Sequence, residues 1–79
     1  MKLRVDVMLK EGVLDPQGKA IGHALAHQGI TGVGEVRVGK TIELELAETD
    51  PAKAVAQGKV MAEKLLANLV IEDYRVSVA

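Results

Sequence analysis

Two histidines have a spacing that could bind a metal ion. His23 and His27 are four residues apart, and in a helix that spacing puts both imidazoles on one face. Zinc sites in proteins use three or four ligands, and the local spacing suggests no third ligand. The chain has no cysteine, which excludes thiolate ligands and a cysteine nucleophile. We therefore interpret the pair as surface histidines and predict no metal site.

A glycine-rich loop, Gly29–Gly34, resembles a phosphate-binding loop in composition only. A dinucleotide-binding loop follows a strand and begins a helix, whereas this loop follows a predicted helix and precedes a predicted strand. Ser77 is the only serine, and the acidic residues form no isolated pair suited to acid–base catalysis. The sequence therefore predicts a turn here, and no catalytic or cofactor-binding residue in this chain.

Length and charge narrow the function classes. The 79 residues form a single predicted domain, 1–79, and the formal net charge of −1 gives no electrostatic reason to bind nucleic acid. No apolar run approaches the roughly 20 residues that span a bilayer. The opening Lys2–Asp6 is not a signal peptide. We expect a cytoplasmic protein that binds neither nucleic acid nor membranes.

The size of the chain also predicts self-association. A domain this short buries too little surface to be more than marginally stable alone. Disulfides, metals and oligomerisation are the usual remedies, and the first two are excluded or not predicted. We expect a homo-oligomer.

Alternating apolar residues predict four strands. The first strand is Leu3–Leu9, and the last begins near Ile71 and ends near Val78. Between them, Glu35–Val38 and Thr41–Leu46 alternate in the same way around Gly39-Lys40. A two-residue turn that begins with glycine is typical of a tight hairpin.

Two Asp-Pro pairs predict the helices. Asp15-Pro16 and Asp50-Pro51 combine an N-cap residue with a proline at the first helical position. Gly29 is expected to end the first helix, and Asn68 the second. The predicted face of the first helix is Ala20, Ile21, Ala24, Leu25 and Gln28, and the apolar stripe of the second is Ala54, Val55, Met61, Ala62, Leu65 and Leu66.

The order of elements is strand, helix, strand, strand, helix, strand. This pattern predicts an α+β, ferredoxin-like βαββαβ fold, in which a four-stranded antiparallel sheet has both helices on one face. Right-handed crossovers would put the first and third strands in the centre. The opposite face of the sheet would carry charges of both signs, either as solvated surface or as a polar subunit interface.

Three stretches together resemble the PurS family: Leu9–Gly18, Val36–Leu44 and Leu65–Tyr74. The likeness covers essentially the whole chain. The matching signature positions are Lys10, Gly12, Asp15, Pro16, Gly18, Arg37, Gly39, Lys40, Asn68 and Glu72. One departure is Leu69, where the family typically has proline, which would fix a backbone angle at the start of the last strand.

The resemblance implies a non-catalytic subunit of phosphoribosylformylglycinamidine (FGAM) synthase, an ATP- and glutamine-dependent ligase of purine biosynthesis. PurS-like proteins are thought to join a PurQ-type glutaminase to a PurL-type synthetase and to help ammonia pass between them. ATP and magnesium belong to the synthetase partner, and the PurS assembly is a homodimer or homotetramer. Lys10, Arg37 and Lys40 are the expected partner or subunit contacts, and the remaining signature positions are expected to be structural.

A different function class fits the same predicted fold. An ACT-type regulatory domain, which binds an amino acid at a dimer interface, has the same order of strands and helices, and fold alone does not separate the two. The sequence leaves open the choice between dimer and tetramer, the stoichiometry with partners, the sheet edge used in each interface, and the path of ammonia.

Overall fold

The computed structural model describes residues 1–79 and contains three strands and two helices. The second helix ends in a π-helical turn. In chain order the elements are β1 (Lys2–Leu9), α1 (Pro16–His27), β2 (Gly39–Glu45), α2 (Pro51–Met61), the π-turn (Ala62–Leu66) and β3 (Glu72–Val78).

Both predicted helix starts are confirmed. The Asp15 carboxylate accepts a hydrogen bond from the Gly18 amide at 2.8 Å, and the Asp50 carboxylate accepts one from the Ala52 amide at 2.9 Å. These side chains satisfy backbone donors that have no partner inside the helix. The helix α1 ends just before Gly29, which has a φ of 78°. Glycine adopts this left-handed conformation at little cost, so the chain can turn there.

The sheet buries one face and exposes the other. Its strand order is β2-β1-β3, with both pairs antiparallel, so that Leu3 lies opposite Leu44 on one side and Val78 on the other. Leu3, Val5 and Val7 of the central strand are fully buried, and α2 packs against β3 and β1. The opposite face carries Arg4, Asp6, Glu43 and other polar residues, with a 3.1 Å ion pair between Arg4 and Asp6.

The predicted four-stranded, ferredoxin-like sheet is wrong, because Glu35–Val38 is not a strand. In the β1–β2 register Met8 lies opposite Gly39, and β1 ends at Leu9. Of residues 35–38, only Val38 has a residue of β1 opposite it, and the other three extend past the end of their only neighbouring strand. The Val38 amide donates instead to the Asp15 carboxylate at 2.8 Å. The strand predicted as third is β2, and it lies at an edge rather than in the centre.

The predicted hairpin at Gly39-Lys40 is also wrong, since both residues belong to β2. Glycine is needed at position 39 for a different reason. A Cβ there would lie 2.6 Å from the Val7 carbonyl oxygen and 3.2 Å from Met8 Cγ. A glycine inside a strand commonly marks such a close approach by neighbouring groups.

Only α2 packs well on the sheet, so the prediction that both helices cover one face of the sheet is wrong. The helix α1 makes no comparable packing with any other element. Its main neighbour is the segment that returns to β2. Gly18 and Gly22, one turn apart, face Val36 of that segment, and a Cβ at Gly18 would overlap the Val36 carbonyl oxygen. We call residues 16–38 the arm.

One member of the predicted apolar stripe of the second helix faces solvent. Leu65 is 83% exposed, whereas Ala62 is fully buried. The Ala67 amide donates to the Ala62 carbonyl at 2.9 Å, five residues back. A π-turn has more residues per turn than an α-turn, so Leu66 rather than Leu65 returns to the face of Ala62.

The molecule is elongated, with principal extents of 49 × 24 × 15 Å. Its radius of gyration is 15.9 Å, whereas a compact domain of this length has about 12 Å. Only eight of the 79 residues are buried, and most of the predicted stripe of α1 is exposed, including Ala20, Ile21 and Ala24. No helix has the length and apolar character needed to cross a membrane.

Candidate functional site

The three signature stretches meet at one end of the sheet. Because both pairings of β1 are antiparallel, the end of β1 lies beside the starts of β2 and β3. The N-terminus of α1 lies at the same end. An open cleft of about 330 Å³ forms there, which we call the motif cleft. Its lining residues are Val7, Leu9, Asp15, Pro16, Gln17, Val38, Gly39, Lys40 and Glu72.

Asp15 joins two segments that are far apart in the sequence. One carboxylate oxygen accepts from the Gly18 amide and the other from the Val38 amide, each at 2.8 Å. These two hydrogen bonds, chiefly the one from Val38, together with the nearby Arg37 guanidinium, hold the pKa of Asp15 below its ordinary value. Asp15 therefore caps α1 and also attaches the end of the arm to the start of α1.

Lys10 and Arg37, two of the residues expected to contact a partner, form hydrogen bonds that involve the backbone at the end of β1. The Arg37 guanidinium donates to the Leu9 carbonyl oxygen. The Lys10 amide donates to the Ile71 carbonyl at 2.8 Å, while its ammonium group is 3.9 Å from the exposed Asp73 carboxylate. A pair this long and this exposed contributes little to stability. Lys10 and Arg37 thus tie β1 to the two other signature stretches.

Lys40 differs from these two residues. It is exposed at the start of β2, lines the motif cleft and forms no ion pair within 4 Å. The carboxylate of Glu72, on the opposite wall, accepts from the Asn68 amide at 2.7 Å. The site therefore presents one unpaired ammonium group beside carboxylates that already hold backbone donors. Such an arrangement suits recognition of a partner surface better than bond-making chemistry.

A family comparison covers nearly the whole chain. The family model described as PurS, phosphoribosylformylglycinamidine (FGAM) synthase, matches residues 2–79. The chain is 52% identical over 77 residues to the FGAM synthase subunit PurS of Bacillus subtilis, and the match covers 98% of this chain and 90% of that protein.

The chain belongs to the PurS family. It is thus a subunit of FGAM synthase, in purine biosynthesis, and the resemblance stated from the three stretches is confirmed.

Solved PurS structures have the same fold. A crystal form of Bacillus subtilis PurS has a TM-score of 0.85 and 50% identity, and the match covers 96% of this chain and 94% of that chain. The PurS-like chain in the structure of PurLQS from Thermotoga maritima has a TM-score of 0.86 and 36% identity, with 95% and 92% covered.

The remaining signature positions have local structural roles. Gly12 has a φ of 82° in the turn after β1. Pro16 begins α1, and Asn68 begins the turn that leads to β3. The two histidines lie exposed on α1. Sequence reasoning missed Val36 and Gly22 as partners inside the arm, because the contact joins residues with no local pattern in common.

Replacing Asp15 by asparagine tests its double role. An asparagine side chain can still cap α1 but cannot present two acceptor oxygens, so the Val38 contact is lost and the midpoint of thermal unfolding, Tm, falls at pH 7. Because the folded-state pKa of Asp15 is lowered, the stability it adds is present above its ordinary pKa and is lost as pH falls through the folded pKa. The Tm gap between wild type and Asp15→Asn should therefore narrow below about pH 4.

Asp50→Asn is the matched control, because Asp50 precedes a proline and caps only its own helix. We expect a smaller Tm loss at pH 7 for Asp50→Asn. Equal losses for the two variants in thermal melts at pH 7 would contradict the double role of Asp15.

Replacing Leu69 by proline, the residue that the resemblance leads us to expect there, should stabilise the chain. The Ile71 amide donates to the Asn68 carbonyl at 3.1 Å, so Leu69 is the second residue of a β-turn. No non-glycine residue has a positive φ, which makes the turn type I and favours proline at that position. The Leu69 amide is not a donor in the turn. We expect Leu69→Pro to add about 0.5 kcal/mol, measured by urea unfolding, and Val70→Pro, which removes a donor, to destabilise.

Proposed function

We propose that this chain is the non-catalytic subunit of FGAM synthase that bridges the glutaminase and synthetase subunits and assists ammonia transfer between them. The proposal rests on the solvent-accessible surface of the chain, which is larger than that of a compact monomer of the same mass. The chain exposes 5604 Å², whereas a compact monomer of this mass exposes about 4,600 Å². The excess is on the scale of the roughly 800 Å² that one partner contributes to a standard interface.

A second copy of the chain is the proposed cover for the arm. No other element covers the apolar side chains of α1, and Ile21 among them is 39% exposed. Covering them would supply the burial that so small a domain lacks. The proposed state is a homodimer or homotetramer. Sedimentation of the purified chain as a monomer at micromolar concentration would overturn this part of the proposal.

The proposed hetero-partners are a PurL-type synthetase and a PurQ-type glutaminase, and the site of action is the cytoplasm. The existence of PurLQS from Thermotoga maritima supports these partners. In the proposed division of labour, the glutaminase releases ammonia from glutamine, and the synthetase uses ATP and magnesium. Ammonia in water is protonated and lost, so its transfer needs a path that excludes water. Docking of this chain would help to close that path.

Omitting this chain from a mixture of the PurL-type and PurQ-type subunits tests the bridging role. We expect glutamine-driven FGAM formation to collapse, while turnover with a high concentration of ammonium chloride as nitrogen donor persists. That pattern separates loss of transfer from loss of synthetase chemistry. Unchanged glutamine-driven turnover without this chain would refute the proposal.

Lys10, Arg37 and Lys40 are the proposed partner or subunit contacts, and Lys40 is the one with an unpaired ammonium group. We expect Lys40→Glu to weaken binding to the PurL-type and PurQ-type pair about fivefold, as a surface charge pair would. Lys53→Glu, on the exposed side of α2, is the control. Equal affinity for the two variants in a binding titration would remove Lys40 from the interface.

A further inference from the structure

Exposed apolar residues lie at the end of the second helix and in the turn that leads to β3. Leu65 and Val70 are each 83% exposed, and Leu69 between them is 44% exposed. We call these three residues the apolar knob. Isolated exposed apolar residues are ordinary on protein surfaces. Three within six positions, two of them almost fully exposed, are the kind of surface that marks an interaction site.

Hydrogen bonds hold the knob in one conformation. The Val70 amide donates to the Asn68 side chain at 3.1 Å, and the Asn68 amide donates to the Glu72 carboxylate at 2.7 Å. The Glu72 amide donates back to the Asn68 carbonyl at 2.7 Å. On the helical side, the Tyr74 hydroxyl donates to the Glu63 carboxylate at 2.9 Å, which joins the π-turn to β3. A projection ordered in advance loses little entropy when a partner binds it.

The exposed area of the knob indicates which protein binds it, a second copy of the chain or a larger partner. Its exposed apolar surface is on the order of 300 Å², the scale of a functional patch, against about 800 Å² per partner in a stable interface. Two knobs meeting across a two-fold axis would therefore bury too little to hold a dimer. A recess on a larger protein can surround the knob and bury polar neighbours with it, so that the knob acts as the energetic centre of a wider contact.

We propose that the apolar knob inserts into an apolar recess on the PurL–PurQ part of FGAM synthase, while a second copy of this chain covers the arm. The inference rests on the proposed function and adds an apolar surface to the hetero-contact. The π-turn contributes to this surface, because it turns Leu65 away from the core.

The double variant Leu65→Ser/Val70→Ser tests the proposal in a binding titration against the assembled PurL-type and PurQ-type pair from the same genome. Both side chains are almost fully exposed, so the variant should keep the Tm and the sedimentation coefficient of the wild type. We expect its dissociation constant to rise by about 10- to 100-fold, the effect of removing an interface hot spot. Val60→Ser, 49% exposed on α2 and outside both the arm and the knob, is the control and should bind the pair as the wild type does.

The results of this titration distinguish failure of the knob proposal from failure of the proposed function. A dissociation constant within about threefold of wild type for the double variant would overturn the knob proposal and leave the bridging role standing. Loss of self-association by the double variant, with its affinity for the pair retained, would also overturn it and assign the knob to a second copy. No binding of the wild-type chain to the pair would instead refute the proposed function itself.

Discussion

Gly18→Ala is expected to separate α1 from the segment that returns to β2. A Cβ at Gly18 would overlap the Val36 carbonyl oxygen and lie 2.9 Å from the Val36 carbonyl carbon and 3.0 Å from Asp15 Cγ. Two of these atoms are backbone, so no rotation of a side chain can relieve the overlap. The segment that returns to β2 must move away from α1, so the hydrogen bond from the Val38 amide to Asp15 is lost. We expect a loss of about 3 kcal/mol, the upper end for an overpacked site.

Gly22→Ala is the matched control on the same helix face. A Cβ at Gly22 would meet only Val36 Cγ2, at 3.7 Å, an ordinary contact. Because alanine favours helix over glycine by about 1 kcal/mol, this variant should be neutral or more stable. Amide hydrogen exchange gives the sharper readout, since protection of Val38 should disappear in Gly18→Ala and persist in Gly22→Ala. Equal protection in both variants would contradict the predicted role of Gly18.

Local patterns predicted the elements that depend on local causes. The Asp-Pro pairs start both helices because the cap and the proline act within one turn of chain. The alternation of Leu3, Val5 and Val7 predicted the buried face of β1 because side chains alternate along any strand. Neither inference needed to know where a neighbouring element lies.

The failed predictions for the sheet and the hairpin depended on the lengths and positions of distant elements. Glu35–Val38 alternates as a strand should, yet β1 ends too early to pair with residues 35–37, and the Val38 amide bonds to Asp15 instead. Gly39 has the identity of a hairpin residue, but the glycine is required by Val7 and Met8 across the sheet. The contact between Asp15 and Val38 spans 23 positions, and no pattern within either stretch predicts it. For the candidate site, the resemblance supplied the expected residues, and the structure places the three stretches that carry them at one end of the sheet.

Leu3→Ala should destabilise the chain more than any surface change considered above. Leu3 is fully buried in the central strand, and its Cδ1 lies 3.0 Å from the position that a Cβ on Gly58 would occupy. Replacing a buried leucine by alanine typically costs about 2 to 5 kcal/mol. A chain of this length has roughly 4 to 12 kcal/mol of stability in all, so the variant approaches the threshold of unfolding.

Leu65→Ala makes the same chemical change at a side chain that is 83% exposed, and it should alter stability by less than about 0.5 kcal/mol. Urea unfolding of both variants at one protein concentration provides the measurement, since the apparent stability of an oligomer depends on concentration. Comparable losses for the two leucines would contradict the assignment of the core to the β1–α2 contact.

Gly58 allows a further check on the same contact. A Cβ there would lie 2.7 Å from Val76 Cγ1 as well as close to Leu3, so Gly58→Ala alone should overpack the core and destabilise the chain. In the Leu3→Ala background the added methyl group faces the space that leucine vacated. The double variant should therefore lose about 1 kcal/mol less than the sum of the two single variants. Strict additivity would mean that α2 does not pack on β1 through this pair, and the buried face of the sheet would need another cover.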